Sequence, residues 1–190
     1  EGQDYHKCWY DTLRMFLSNN DEMLFVIDEK QNIYERNNNW VDNMKGTKFR
    51  GRWRTLTKSY RMPHNIAVKA KTFSDIYLPN TGAALVPDGE TIDMFEPILM
   101  WKDLDITENY ISHIDGLFSW LTLTKEQHPS DIVILVPTHA QGLQLTGYFE
   151  NKNVDVNHVF DGGELKNKKS FYMGDSRLKI CTVHSFKGWE

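Results

Sequence analysis

The feature that most constrains this chain is a clean apolar run over 132–136 that stops at Pro137-Thr138 and gives way to a helical stretch reaching to about Asn151. An apolar run of that length, bounded by turn residues, suits a strand buried on both faces, as in a parallel sheet covered by helices. The rest of the chain follows the same alternation. A helix is expected over 4–19, with Trp9, Leu13, Phe16 and Leu17 on one face, then a short buried strand over 23–27. Residues 41–52 read as irregular and basic, 53–60 as an alternating strand, and Pro63 as the opening of a helix to about Phe73. A loop over 74–93 and a strand over 96–101 follow. Thr107 is a plausible cap for a helix to about Leu123, with Ile111, Ile114, Phe118 and Leu121 in one stripe. Further strands are expected over 154–160 and 178–183. This order predicts an α/β fold whose open, mainly parallel sheet is flanked by helices.

Ligands of such sheets gather at the carboxyl ends of the strands. Three groups fall there: 28–34, Tyr60-Arg61, and 182–190. Asp28 and Gln31 are an acid and an amide able to orient a water or meet a phosphate, or else a polar turn. Arg61 has the fork geometry for a phosphate, or is a surface arginine beside a helix start. His184 is a possible donor to a phosphate or base, or an ordinary polar residue. Lys45, Lys48, Arg50, Arg52 and Arg54 interleave with Phe49 and Trp53, which suits a phosphate backbone with stacked bases, or a solvated linker. Lys166, Lys168 and Lys169 beside Phe171 and Tyr172 carry the same two readings.

Composition narrows the classes. The 190 residues suffice for one large domain, or one domain and part of another, at about 150 residues each. A net charge of −4 means that any nucleic-acid surface is local rather than global. No apolar run approaches the roughly 18 residues of a membrane span, and no basic start leads into an apolar stretch. Cys8 and Cys181 allow one bridge at most. These features lead us to expect a cytoplasmic protein. The sequence contains no Gly-Lys pair, hence no G-x-x-x-x-G-K-[ST] phosphate loop, no G-x-G-x-x-G, and no metal-ligand spacing. It opens on Glu1 and ends on Glu190, and we expect it to be a segment excised from a longer protein.

The order of the pieces carries more than any one of them. Glu1-Gly2-Gln3-Asp4 resembles the tail of the D-E-x-Q-D motif of the UvrD/Rep-like superfamily 1 DNA helicases. Asp28-x-x-Gln31-x-Ile33-Tyr34 resembles their G-D-x-x-Q-S-I-Y. The run 56–61 with Ile66 resembles L-x-x-N-Y-R-S…I, and 131–135 with its helix resembles the strand–helix unit that follows. Thr182-Val183-His184-Ser185-Phe186-Lys187-Gly188-Trp189-Glu190 resembles T-x-H-x-A-K-G-L-E. Ile27 stands where the family has a small residue, Arg36 where it often has a stacking Trp, and Phe186 and Trp189 where it has Ala and Leu.

The resemblance implies a RecA-like fold. Residues 1–40 would end a first motor domain, 41–53 would form a basic connector, and 54–190 a second RecA-like domain truncated at its C-terminal end, without the family's large insertion. It implies ATP and magnesium as cofactors of the full-length protein, and single-stranded DNA and the missing first RecA-like domain as partners. Glu1 matches the water-activating carboxylate, Gln31 the γ-phosphate sensor, and Arg61 an arginine reaching across the nucleotide cleft. Gly188 and Glu190 match the nucleotide side, with Glu190 at the ribose. Tyr34, Thr182 and His184 match the DNA side. The implied function is ATP-driven translocation on single-stranded DNA with duplex unwinding. A non-catalytic nucleic-acid-binding module of the same fold, or the motor of an ATP-dependent repair nuclease, are the alternatives. With the phosphate loop absent, the chain alone is expected to be inactive and to hold no nucleotide tightly.

Overall fold

A computed structural model of the chain describes residues 2–17, 22–28, 32, 34, 37, 39–42, 44–54, 63–77, 98–105, 109–160 and 171–187. They divide into two compact units, Glu1–Trp101 and Lys102–Glu190.

In the first unit a 3-10 turn, Gly2–Asp4, precedes helix α1, Lys7–Arg14. The helix is therefore shorter than the 4–19 expected. Its beginning is drawn onto the segment 25–27: Gly2 N donates to Val26 O at 2.7 Å, and a β-carbon on Gly2 would collide with Phe25 and Ile27. Its end tightens where Met15 N bonds Thr12 O. The stripe expected to be buried is not: Trp9 is 48% exposed and Phe16 82%, whereas Tyr10 is 1% exposed. Tyr10 is held by Phe25, Trp40 and Phe49, with ring centroids 5.4–6.3 Å away, and its hydroxyl accepts from Lys48 N at 3.2 Å. This aromatic cluster turns the helix to a face that the hydrophobic period alone does not select. Residues 23–27 belong to no sheet; Leu24 is 90% exposed while Phe25 faces the cluster.

Helix α2, Asn39–Asp42, supplies Trp40 and the buried Val41. Helix α3, His64–Tyr77, starts directly after Pro63, whose carbonyl accepts from Ala67 N at 3.0 Å. It runs four residues past Phe73, so 74–77, expected as loop, is helical. Residues 98–101 are exposed and do not form the strand expected there. The remainder of the strands expected over 53–60 and 96–101 lies outside the described residues.

The second unit holds the sheet. Helix α4, Tyr110–Ser119, is capped by Asn109, whose Oδ1 accepts from Ile111 N at 3.1 Å; Thr107 lies outside the described residues. A π-helical turn, Trp120–Thr124, continues it. Strand β1 is Val133–Val136, helix α5 His139–Asn151, strand β2 Val156–His158, strand β3 Leu178–Thr182, and a single turn, α6, Val183–Phe186. All pairs are parallel, in the order β1-β3-β2, with Val133 opposite Lys179 and Val156 opposite Leu178. The α/β class and parallel sheet expected from the alternation are therefore present, with β1 and β3 as direct neighbours.

The core gathers Val136, Leu145, Phe149, Val156, Phe160, Leu178 and Ile180, and the α4 stripe of Ile111, Ile114, Phe118 and Leu121 packs against it as its period predicts. Helices α4 and α5 are stitched by Phe118 against Phe149 at 5.0 Å, by Tyr110 Oη donating to Gln144 at 2.6 Å, and by the Lys152–Asp115 ion pair at 2.7 Å. Phe171 is buried in the core and so is not open for stacking on a base, while Tyr172 is half exposed. No helix among the described residues is long and apolar enough to cross a membrane.

Candidate functional site at the carboxyl edge of the sheet

β1 and β3 end side by side, with Val136 opposite Thr182. Each strand hands over to a helix through a threonine cap. Thr138 Oγ1 accepts from Gln141 N at 3.3 Å and lies 2.8 Å from Gln141 Oε1. Thr182 Oγ1 accepts from Ser185 N and lies 3.1 Å from Ser185 Oγ. A capped helix start leaves backbone N–H groups pointing outward and a partial positive charge at that end. α5, of 13 residues, presents this at one strand end. Three imidazoles border the same edge: His139 opens α5, His158 closes β2, and His184 lies in α6. His158 stacks on Phe160 at 5.9 Å, and its Nδ1 accepts from Phe160 N at 3.2 Å, so its proton sits on Nε2. His139 meets the same ring edge-on at 5.5 Å.

Of the residues singled out by sequence, Thr182 and His184 are brought together here. Thr182 is buried with its hydroxyl engaged in the cap, and His184 is exposed. Tyr34 belongs to the first unit, on a turn, 44% exposed. Glu1, Gln31, Arg61, Gly188 and Glu190 lie outside the described residues. The sequence reading missed the Thr138–Gln141 pair, although its spacing is the helix-start signature of a capping box. It also missed His139 and His158, which no pattern marks.

Among the described residues, no three His, Cys, Asp or Glu side chains are grouped to hold a metal ion. With the start of α5 and the imidazoles beside it, the edge offers helix-start amides and N–H donors, chemistry suited to receiving an anion. A separate shallow apolar groove of about 360 Å³ lies along the exposed face of α1, lined by Asp4, Tyr5, Trp9, Thr12 and Leu13.

Both thiols are free. Cys181, just before Thr182, is fully buried, and burial pushes its thiol up to about 11. Only thiolate reacts with disulfide reagents. An aromatic disulfide titration at pH 8 is accordingly expected to release one equivalent rapidly, from exposed Cys8, and the second only on unfolding. Two fast equivalents in the native protein would show that β3 opens readily.

Comparison with family models, curated proteins and solved structures finds no match for this chain.

Proposed function

We propose that this chain is the nucleotide-cleft half of an ATP-dependent DNA helicase, built on a RecA-like sheet, that couples ATP hydrolysis to movement on single-stranded DNA. The observation that supports it best is the parallel pairing of β1 with β3, which brings the start of the run 182–190 to the carboxyl edge, where open parallel sheets bind ligands. On this reading Glu1 activates the attacking water, Gln31 and Arg61 contact the γ-phosphate, Gly188 and Glu190 hold the nucleoside end, and Tyr34, Thr182 and His184 face the strand. ATP brings its magnesium with it and supplies the phosphoryl group that is cleaved. A cross-cleft arginine works by neutralising charge that develops on the transferred phosphoryl group.

The chain alone has at most these γ-phosphate and nucleoside contacts. Phosphate affinity in such sites comes chiefly from a lysine-bearing loop and its amides, which this sequence lacks. A few charge-assisted hydrogen bonds, at roughly 1.5–3 kcal/mol each, do not offset the cost of ordering a free nucleotide. Calorimetric titration with a magnesium–ATP analogue is expected to show no binding tighter than millimolar, and phosphate release is expected to stay at background. In the full-length gene product, Arg61→Ala is expected to lower DNA-stimulated ATP hydrolysis by about 10³-fold or more. Hydrolysis indifferent to both Arg61→Ala and Gln31→Ala would overturn the reading of these residues as the γ-phosphate contacts, and absence of hydrolysis in the full-length product would leave a non-catalytic binding module.

A further inference from the structure

The basic charge of this chain is segregated. Residues 43–74 contain nine Lys or Arg and no Asp or Glu, whereas the rest of the chain carries all 26 acidic residues against 13 basic ones. The first described part of that span, 44–54, is a fixed loop rather than a loose linker; the second, from Pro63 on, leads into helix α3. Phe49 is inserted into the aromatic cluster, 5.8 Å from Tyr10 and 5.7 Å from Phe25, and Lys48 N is held by the Tyr10 hydroxyl. Arg50 Nη1 folds back on the carbonyls of Thr47 and Phe49, and the turns use left-handed φ at Met44, Gly46 and Gly51. Anchored at Phe49, the loop exposes Lys45, Arg50, Arg52 and Arg54 to solvent, with Trp53 among them at 41% exposure. Lys45, Arg52 and Arg54 make no ion pair among the described residues.

From this we infer that the loop 44–54 is a preformed binding site for single-stranded nucleic acid, in which Lys45, Arg52 and Arg54 take the phosphates and Trp53 stacks on a base. The charge favours a polyanion, and the loop's anchoring lowers the ordering cost that a flexible basic segment would meet on binding. The exposed indole between two arginines separates this site from a purely electrostatic one, because every base presents a face to stack on while a duplex hides its faces. Phe49, which the sequence pattern offers equally for stacking, is removed from that role by the cluster. The inference concerns residues other than Tyr34, Thr182 and His184, and needs no nucleotide cleft.

The test is fluorescence anisotropy of the whole chain with a labelled 20-nucleotide oligothymidine, without nucleotide, between 50 and 200 mM salt. Affinity is expected to fall with salt along a log–log slope of about −0.7 per phosphate contacted. Arg52→Gln/Arg54→Gln is expected to reduce that slope by about 1.4. Trp53→Ala is expected to weaken binding about 5- to 150-fold while leaving binding of an abasic oligonucleotide unchanged. Circular dichroism melts confirm that the variants stay folded. Absence of binding at 50 mM salt would overturn the inference. So would equal affinity for duplex or heparin with no effect of Trp53→Ala, which would make the loop a general polyanion surface. If His184→Ala abolishes binding and the loop variants do not, the loop inference fails and the edge reading above stands.

Discussion

Lys179→Met is expected to destabilise the second unit by about 3 kcal/mol, although it replaces a charged side chain by an apolar one of similar length in the middle of a sheet. Lys179 lies on β3 with no solvent exposure, and its Nζ donates to Ser130 O at 2.5 Å and to Asp175 O at 2.8 Å. Burial lowers its pKa, while the carboxylates of Asp175 and Asp131 act in the other direction. The ammonium thus ties the turn before β1 to the turn before β3 at the amino edge of the sheet. Replacing both members of a buried polar pair can be neutral, but here the carbonyls stay and lose their donor, at about 1–3 kcal/mol for each acceptor left unpaired. The second turn is itself fixed. Arg177 grips Asp175 through Nε at 2.8 Å and Nη2 at 2.7 Å, which holds that carboxyl down at about 2. That turn therefore has little freedom to rearrange around an apolar side chain. Hydrogen exchange of the β1 and β3 amides reads the second unit separately from the first. A loss below about 1 kcal/mol would mean that water replaces the ammonium without cost.

The second large effect is a reversal of sign. Gly142 sits on the buried face of α5 so close to Phe160 that a β-carbon would come within 2.2–2.5 Å of three ring carbons, and the ring itself is fully buried between His139 and His158. Gly142→Ala alone is expected to cost about 1–3 kcal/mol through overpacking, despite the roughly 1 kcal/mol that alanine gains over glycine inside a helix. Phe160→Ala is expected to cost about 3–5 kcal/mol, as truncation of a core aromatic does. In the Phe160→Ala background the obstacle is gone, so Gly142→Ala should stabilise the protein by up to about 1 kcal/mol. The same exchange measurement on all four proteins closes the cycle. Equal costs in both backgrounds would show that something other than the ring excludes the methyl group.

These two sites mark where sequence pattern stops being informative. β1 is legible because a continuous apolar run ending at Pro137 suits little besides a buried strand, and the α4 stripe because four apolar residues recur at helical spacing. The face of α1 is not legible: Trp9 and Tyr10 are equally aromatic neighbours, and only the convergence of Phe25, Trp40 and Phe49 decides which is buried. Lys179 is inconspicuous within its strand because its partners are backbone carbonyls, which leave no mark on side-chain sequence. The same holds for Gly142, whose need to be glycine comes from a residue 18 positions away. At the candidate site, Thr182 and His184 emerge from the order of motifs. The capping of β1's exit by Thr138 is visible in its spacing to Gln141, a signal weaker than the apolar run beside it.

The strand order β1-β3-β2 also governs when this sheet is able to form. Among the described residues both outer strands pair only with β3, the last of the three in sequence, and the Ser130–Lys179 tie spans 49 positions. During synthesis, β1 and β2 leave the ribosome with their backbone groups unpaired and wait until 178–182 emerges between them. Parallel, long-range pairing of this kind is slow to nucleate because chain closure precedes any reward. A nascent chain stalled before Leu178 would present two bare strand edges, which makes the interval before β3 appears the period of greatest exposure to misassembly and to chaperone capture.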